Sequence, residues 1–175
     1  MAIATHDPTA GHSLVIGDIE DLRDCTIFRD TSGTALIFNA PSGDSYKFGI
    51  GDTAYFIVGS TGIGYPSGSG SSVSQGGSAK TTTVICNAPC GVITMDDADL
   101  AAAAEATFTV TNNTVAATDT VVASIASGDT AGQHIIAVTA VASGSFKLTL
   151  TNVTASTQTS AAVVVNFAVI KAVSS

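Results

Sequence analysis

Hydrophobic and polar residues alternate along the second half of the chain with the period of a β-strand. In residues 107–111 phenylalanine and valine alternate with threonine, and in residues 146–151 phenylalanine and leucine alternate with lysine and threonine. The run 163–170 is mostly apolar at both its odd and its even positions, which is typical of a strand buried on two faces. Seven strands are predicted in this way, at residues 81–86, 91–95, 106–111, 120–126, 134–141, 146–152 and 161–170. Their spacing predicts an antiparallel β-sandwich, either Ig-like or of the jelly-roll type.

Shorter apolar runs with turn residues between them fill the first part of the chain. They predict strands at 14–16, 25–28, 34–39, 45–48 and 54–58, about ten residues apart, which is the rhythm of an all-β arrangement. Such brief strands bury little core, so the segment is expected to be completed by partner chains or a neighbouring domain. Residues 1–12 are polar and are interpreted as a flexible arm or a docking tail.

A stretch rich in glycine and serine, residues 64–80, separates these two regions. It has no apolar face to bury, which favours a flexible linker, with an ordered surface loop as the alternative. The predicted organisation is all-β: an N-terminal β segment at 1–63, the linker at 64–80 and a C-terminal domain at 81–175. A single helix is conceivable at 97–105, with Asp96 as its N-cap, although its shortness also fits a turn.

Charge is scarce along the chain and mostly negative. Charged residues make up 11% of the sequence, against roughly a quarter in ordinary soluble domains, and the net charge is −8. The six lysine and arginine residues are not clustered, which argues against binding to nucleic acid or to an anionic membrane surface. The N-terminus lacks the pattern of a signal peptide, and no apolar run approaches the roughly 20 residues of a membrane span. The chain is therefore expected to fold in a cytoplasm.

The densest carboxylates are Asp96, Asp97, Asp99 and Glu105. Their oxygens could hold a calcium ion, but the spacing lacks the glycine and the distal glutamate of a calcium loop. A capped and solvated turn is the favoured interpretation.

Cys86 and Cys90 could form half of a zinc site, but no second Cys/His pair follows. Cys86 falls within a predicted strand, which favours a small buried hydrophobic side chain. A disulfide across Pro89 is disfavoured in a reducing compartment, and the odd count that includes Cys25 does not suit a disulfide-stapled scaffold.

The remaining candidate chemistry is sparse. His6, His12 and His134 are scattered, and the sequence contains neither a hydrolase nucleophile elbow nor a phosphate-binding loop. We therefore predict no enzyme, no cofactor and no bound metal. The Asn-x-Thr sequences at 112–114 and 152–154 match the glycosylation pattern, but without a signal peptide they are interpreted as turn and strand residues.

Two stretches of the sequence are distinctive enough to compare with a known family. The first runs Thr-Ala-Leu-Ile-Phe-Asn-Ala-Pro-Ser-Gly-Asp from Thr34 to Asp44, continues to Ile50, and resumes at 58–63. It resembles strand-turn units of bacteriophage tail-fibre and head-fibre proteins. The second covers most of 84–173 and resembles a β domain at the C-terminus of phage virion proteins, on the segments 88–97, 104–112, 124–132, 138–146 and 165–171. Cys86 and Cys90 depart from it, because ordinary strand and turn residues are expected there.

The resemblance implies a structural virion protein, a homotrimer that decorates or cements the capsid or forms a head fibre or knob. It would be assembled in the host bacterial cytoplasm, stand on the capsid or tail surface, and contact the major capsid protein or another virion protein. A phage tail-fibre or minor tail protein that binds a receptor or glycan is the alternative. That alternative is weaker, because the C-terminal half has only Phe108, Phe146 and Phe167 as aromatic residues, and all three fit inward strand positions where they could not stack on a sugar. A cellular adhesin would need an export signal, which is not seen.

Within this scheme, residues 1–63 are the base that docks to the particle and to sister chains. An ordinary intrachain core is the alternative role for its apolar residues. The predicted trimer or capsid contacts are Leu36, Phe38, Tyr46, Phe48, Tyr55 and Ile57.

Overall fold

The computed structural model describes residues 2–5, 14–17, 26–29, 36–39, 45–50, 53–59 and 62–172. All regular secondary structure in these residues is β, and none of it is helical. The chain divides into two units, Met1–Pro66 and Ser67–Ser175. None of the described residues belongs to a helix long and apolar enough to cross a membrane.

The first unit contains short antiparallel ladders. Strands β1 and β2 pair with each other, β3 pairs with β4, and β5, β6 and β7 form a three-stranded sheet. Their bounds are β1 (Ala2–Thr5), β2 (Leu14–Gly17), β3 (Thr26–Arg29), β4 (Leu36–Asn39), β5 (Ser45–Ile50), β6 (Thr53–Gly59) and β7 (Gly62–Gly64).

Each of the five strands predicted before residue 63 has a counterpart, but β1 was not predicted. It lies in the supposed flexible arm, where the register pairs Ile3 with Ile16. β-branched residues favour extended pairing, and the polar average of residues 1–12 hides this local preference.

The second unit contains two four-stranded sheets. The first, called here the β15 sheet, has the order β12-β15-β10-β8, and the second, the β14 sheet, has the order β13-β14-β11-β9. The bounds are β8 (Gly70–Ser74), β9 (Val84–Ile85), β10 (Cys90–Thr94), β11 (Glu105–Thr111), β12 (Thr120–Ser127), β13 (His134–Ala142), β14 (Ser145–Asn152) and β15 (Val164–Ile170).

Inward-facing residues of both sheets form one hydrophobic cluster. The rings of Phe146 in β14 and Phe167 in β15 lie 5.1 Å apart between centroids, which is the distance of a direct aromatic contact. The cluster follows the predicted period of two: alternate residues of β11 and β15 are buried, and in β14 Thr149 is buried in addition to the alternate apolar residues. Its largest buried members are Ile93, Met95, Phe108, Val110, Phe146, Leu148, Leu150, Val163, Val165, Phe167 and Val169.

The prediction that the run 163–170 is covered on both faces is wrong for the described structure. Val165, Phe167 and Val169 are buried, but Asn166 and Ile170 on the other face are exposed, Ile170 by 56%. The outer face is apolar in sequence because it carries alanine and valine, and this composition does not by itself require a covering layer.

The predicted all-antiparallel arrangement is also wrong, because the two sheets are mixed. Strand β8 runs parallel to β10, and β9 runs parallel to β11. Parallel neighbours need a long crossover connection. The chain provides it by alternating between the sheets: β9 in the β14 sheet separates β8 from β10, and β10 in the β15 sheet separates β9 from β11.

The predicted linker at 64–80 differs from the structure over its second half, since residues 70–74 are strand β8. The Gln75 side chain then fixes the following loop through hydrogen bonds to backbone groups. Its Nε2 donates to the carbonyls of Lys80 and Thr82 at 2.9 and 2.8 Å, and its Oε1 accepts from the amide of Asp96 at 2.9 Å. Glycine and serine are compatible with this edge strand because its order comes from backbone pairing and a buried amide.

The helix considered at 97–105 does not form. Leu100 instead makes an isolated antiparallel bridge with Gln158, and Ala103 adopts a left-handed backbone with φ of 54°. The Asn152 side chain donates to the carbonyls of Leu100 and Ala101 at 3.0 and 2.9 Å. Those carbonyls would otherwise accept the i+4 amides of a helix, so tertiary contacts replace the helical bonds.

Candidate functional site

The six predicted contact residues lie on three strands of the first unit. Leu36 and Phe38 are in β4, and the other four are in β5 and β6. Strand β4 pairs only with β3 in the described ladder, so the six residues are divided between two sheets. Tyr46 and Phe48 are register partners of Val58 and Phe56, whereas Ile57 is the partner of Lys47.

Because successive strand residues alternate between faces, this register places Tyr46 and Phe48 on one face of the β5–β6 ladder and Ile57 on the other, whereas Tyr55 lies at a register shift and has no partner in the ladder. The six residues therefore do not form a single face. Their role as trimer or capsid contacts stays a prediction.

The outer face of the β15 sheet is the most distinctive surface of the second unit. Its four strands contain no aspartate, glutamate, lysine, arginine or histidine at any position. The register aligns Val122, Ala168, Cys90 and Gly70 in one row across the sheet. Asn166 and Val92 belong to the next row, and shallow grooves run between these rows.

Large apolar side chains remain exposed on this face. Val122 is 48% exposed, Val92 38% and Ile170 56%. The β14 sheet also exposes Ile85 and Ile135, by 66% and 57%, but it differs in carrying the exposed charges of Glu105 and Lys147. The β15 sheet is thus an uncharged and partly apolar platform in a chain of net charge −8.

The two cysteines of the second unit are free thiols on different sides of β10. Cys86 is buried, and a Cβ added at Gly91 would lie 3.0 Å from its Sγ, so Cys86 adjoins the inward face. Cys90 precedes Gly91 and faces the opposite side, toward Gly70. Burial raises the pKa of both thiols, so they are protonated near neutral pH and are poor nucleophiles.

Of the four carboxylates predicted to share a turn, Asp96, Asp97 and Asp99 lie in the turn after β10, whereas Glu105 begins β11. Asp96 Oδ1 accepts a hydrogen bond from the amide of Ala98 at 2.9 Å. Within residues 62–172 and the described strands before them, no three His, Cys, Asp or Glu side chains are grouped as a metal site would need.

The buried lysine behind this turn was missed by sequence reasoning. Lys80 is 3% exposed, and its Nζ donates to the carbonyls of Asp96 and Ala161 at 2.6 and 2.5 Å. Burial lowers the pKa of the Lys80 ammonium, and the carboxylates of Asp96, Asp97 and Asp99 oppose that shift. A lysine at the end of a Gly/Ser stretch gave no sequence signal for this role.

A second missed feature is an Asp–His pair at the end of the second unit. His134 Nδ1 and Asp129 Oδ1 are 2.7 Å apart, with the side chains 0% and 7% exposed. The Nε2 of His134 is buried without a hydrogen-bond partner among the described residues. Of the histidines, His6 and His12 lie outside the described residues.

Asp129 lines a polar cleft of about 490 Å³ between the turn after β12 and the loop before β15. The cleft is lined by Gly128, Asp129, Thr130, Gln133, Thr157, Gln158, Thr159, Ser160 and Ala161. Its lining is mainly polar, unlike that of the grooves on the β15 sheet.

No protein-family model matches the chain, and neither does any curated protein sequence or solved structure.

Proposed function

We propose that this chain is a structural virion protein of a bacteriophage that decorates or cements the capsid surface, as a head decoration, head fibre or knob, without catalysis. The observation that carries the proposal is the uncharged outer face of the β15 sheet, with Val92, Val122 and Ile170 exposed on it. The resemblance of residues 84–173 to phage virion proteins supports the same conclusion.

We assign this face to contacts between copies of the chain. Each chain carries a net charge of −8, so two copies that approach through charged surfaces repel each other. An uncharged face with exposed valine and isoleucine avoids that repulsion and gains free energy from apolar burial. The second unit, as an Ig-like or jelly-roll sandwich, would then associate around a trimer axis, while residues 1–63 dock to the particle.

Two measurements test this function. Size-exclusion chromatography with light scattering should give about 52 kDa for the intact chain, three times its mass of 17.4 kDa. Mass spectrometry of purified phage particles should detect the chain, and labelling with an antibody should place it on the capsid. A monodisperse monomer that is absent from particles would contradict the proposal.

The alternative is a tail-fibre or minor tail protein that binds a receptor or a glycan. The polar cleft at Asp129 is the observation that favours it. Antibody labelling on the tail and not on the head would select this alternative.

A further inference from the structure

The cleft at Asp129 has the size and the position of a ligand site. Its volume of about 490 Å³ lies inside the range of roughly 300–1,000 Å³ typical of ligand clefts. Two loops at one end of the second unit form it, 128–133 and 157–161. Loops held by a rigid β scaffold are where binding groups are commonly placed.

The two loops are held closely together. A Cβ added at Gly128 would lie 2.1 Å from the carbonyl oxygen of Ala162, and Gly128 has a φ of +73°. Only glycine fits this approach without strain. On the other loop, Ser160 has a left-handed backbone with φ of 51°, and its amide donates to Asp99 Oδ1 at 3.3 Å.

The carboxylate of Asp129 is held in place by a buried partner. The 2.7 Å contact with His134 Nδ1 occupies Oδ1, and the imidazole is fully buried. Burial of this pair leaves Nε2 of His134 without a partner in the described structure, which is unfavourable relative to an apolar core. Such a pair orients the carboxylate at the wall of the cleft before any ligand arrives.

The lining determines which class of ligand fits. It offers one carboxylate, two side-chain amides and four hydroxyls, and it contains neither a cationic nor an aromatic side chain. The carboxylate disfavours anions, and the missing rings disfavour flat aromatic ligands. Carboxylate and amide groups together can accept from and donate to adjacent hydroxyl groups on one molecule.

We propose that this cleft binds a neutral saccharide unit, with Asp129 accepting hydrogen bonds from sugar hydroxyls and Gln133 pairing with others. Gln158 would accept through Oε1, because its Nε2 already donates to Thr154 Oγ1 at 3.0 Å. Without ring stacking, the affinity for a single sugar is weak, with a Kd on the order of 1 mM. Several copies on one particle would raise the avidity for a polysaccharide without any new contact. The site does not depend on a capsid or tail location, so it can fail while the virion function holds, and the reverse.

An NMR titration of the intact ¹⁵N-labelled chain tests the site. The probes are glucose, galactose and N-acetylglucosamine, each added to several times the expected Kd of about 1 mM. We expect at least one of them to give saturable amide shifts confined to 128–134 and 157–161. Glucuronate and lysine amide serve as charged comparisons, and both should bind more weakly.

Asp129→Asn should weaken binding about tenfold, because it replaces a charged acceptor by a neutral one while keeping the shape. Asp97→Asn is the matched control, since Asp97 is exposed and lies outside the cleft lining, and it should leave the affinity unchanged. If Asp129→Asn does not fold, Gln133→Ala at the cleft wall should still weaken binding severalfold.

Three results would overturn the site: no saturable shift with any of the three sugars, shifts that map away from the two loops, or lysine amide binding as tightly as the best sugar. If a sugar does bind, co-sedimentation with purified bacterial surface polysaccharide distinguishes the source. Pelleting with the polysaccharide indicates a cell-surface glycan, and binding of the free sugar alone indicates a soluble one.

Discussion

Two asparagines that lie 40 positions apart make the same local hydrogen bonds. The sequences Phe108–Thr114 and Leu148–Thr154 share the pattern apolar-Thr-apolar-Thr-Asn-x-Thr. Asn112 and Asn152 are both fully buried. Each accepts through Oδ1 from the amide and the hydroxyl of the threonine two residues later. The Asn-x-Thr sequences are thus turn-forming caps of β11 and β14, as predicted, and their amides are occupied inside the fold.

Replacing Asn152 by alanine should lower the free energy of unfolding by about 2–4 kcal/mol. The Nδ2 of Asn152 donates to the carbonyls of Leu100, Ala101 and Ser156 at 2.9 to 3.0 Å, and the change leaves these acceptors without that donor. Urea unfolding of both chains measures the difference. Asn113→Ala is the control, since Asn113 is exposed, and it should change stability by less than about 0.5 kcal/mol. Equal effects of the two substitutions would contradict this account of Asn152.

The buried lysine gives a pH dependence whose sign follows from its environment. Because burial lowers the pKa of Lys80 in the folded chain, the unfolded chain binds that proton more tightly, with a pKa of about 10.4. The contribution of Lys80 to stability therefore rises as the pH increases from the folded pKa toward about 10.4. Denaturant unfolding in alkaline buffers should show this rise in the wild type and a smaller one in Lys80→Met. If the stability of the wild type and of Lys80→Met changed equally with pH, the pKa of Lys80 would be the same in the folded and the unfolded chain, which would contradict this account.

At the scale of strands, a substitution at Gly91 tests whether β8 packs beside β10 as the sheet order describes. A Cβ at Gly91 would lie 2.6 Å from the carbonyl of Ser71 in β8 and 2.8 Å from the ring of Phe167. Gly91→Ala should therefore destabilise the chain by about 1–3 kcal/mol, as overpacking does. Gly76→Ala, with open space around the added Cβ, is the control and should be close to neutral. If thermal unfolding finds Gly91→Ala as stable as the control, then β8 does not pack there.

The ion pair between Asp119 and Lys171 links the turn before β12 to the end of β15. The amide of Ala116 donates to Asp119 Oδ2 at 2.8 Å, and Lys171 Nζ lies 2.6 Å from the same oxygen. These bonds lower the pKa of Asp119. Its contribution to stability is therefore present above the unfolded value of about 3.9 and is lost as the pH falls through the folded pKa. Carboxyl NMR titration should place the pKa of Asp119 below the ordinary aspartate value, and Asp119→Asn should flatten the acid limb of the stability curve. If the titration midpoint of Asp119 lay at the ordinary aspartate value, Asp119 would not contribute to the loss of stability in acid.

Strands were predictable wherever side chains alternate, and not where the backbone alone makes the contacts. β11 and β14 were found because one face is apolar, which is the physical cause of period two, and β15 was found as a continuous apolar run. β8 was missed because Gly70–Ser74 shows no such contrast, and its order comes from pairing with a strand about 20 residues later. The parallel direction of β8 and β9 was also unpredictable, since it depends on how the chain alternates between sheets.

The candidate sites show the same limit. His134 was noted as a scattered histidine, and its partner Asp129 is only five residues away. The cleft, however, also needs residues 157–161, and only the folded sheets bring them near Asp129. The uncharged character of the β15 sheet could have been read from the strands, but which strands share a sheet could not.

For the whole molecule, the decisive question is whether copies meet through the β15 sheet. Val122→Lys places a charge on an exposed position of that face, where it disturbs no buried packing. We expect the assembly to dissociate toward a 17.4 kDa monomer in light scattering, because each contact would then hold a desolvated and unpaired ammonium. Ile135→Lys is the matched control, since Ile135 is 57% exposed on the other sheet. It should leave the assembly intact and the unfolding midpoint close to that of Val122→Lys. If Ile135→Lys dissociates the assembly while Val122→Lys does not, then the copies meet through the β14 sheet, and the uncharged platform has another occupant.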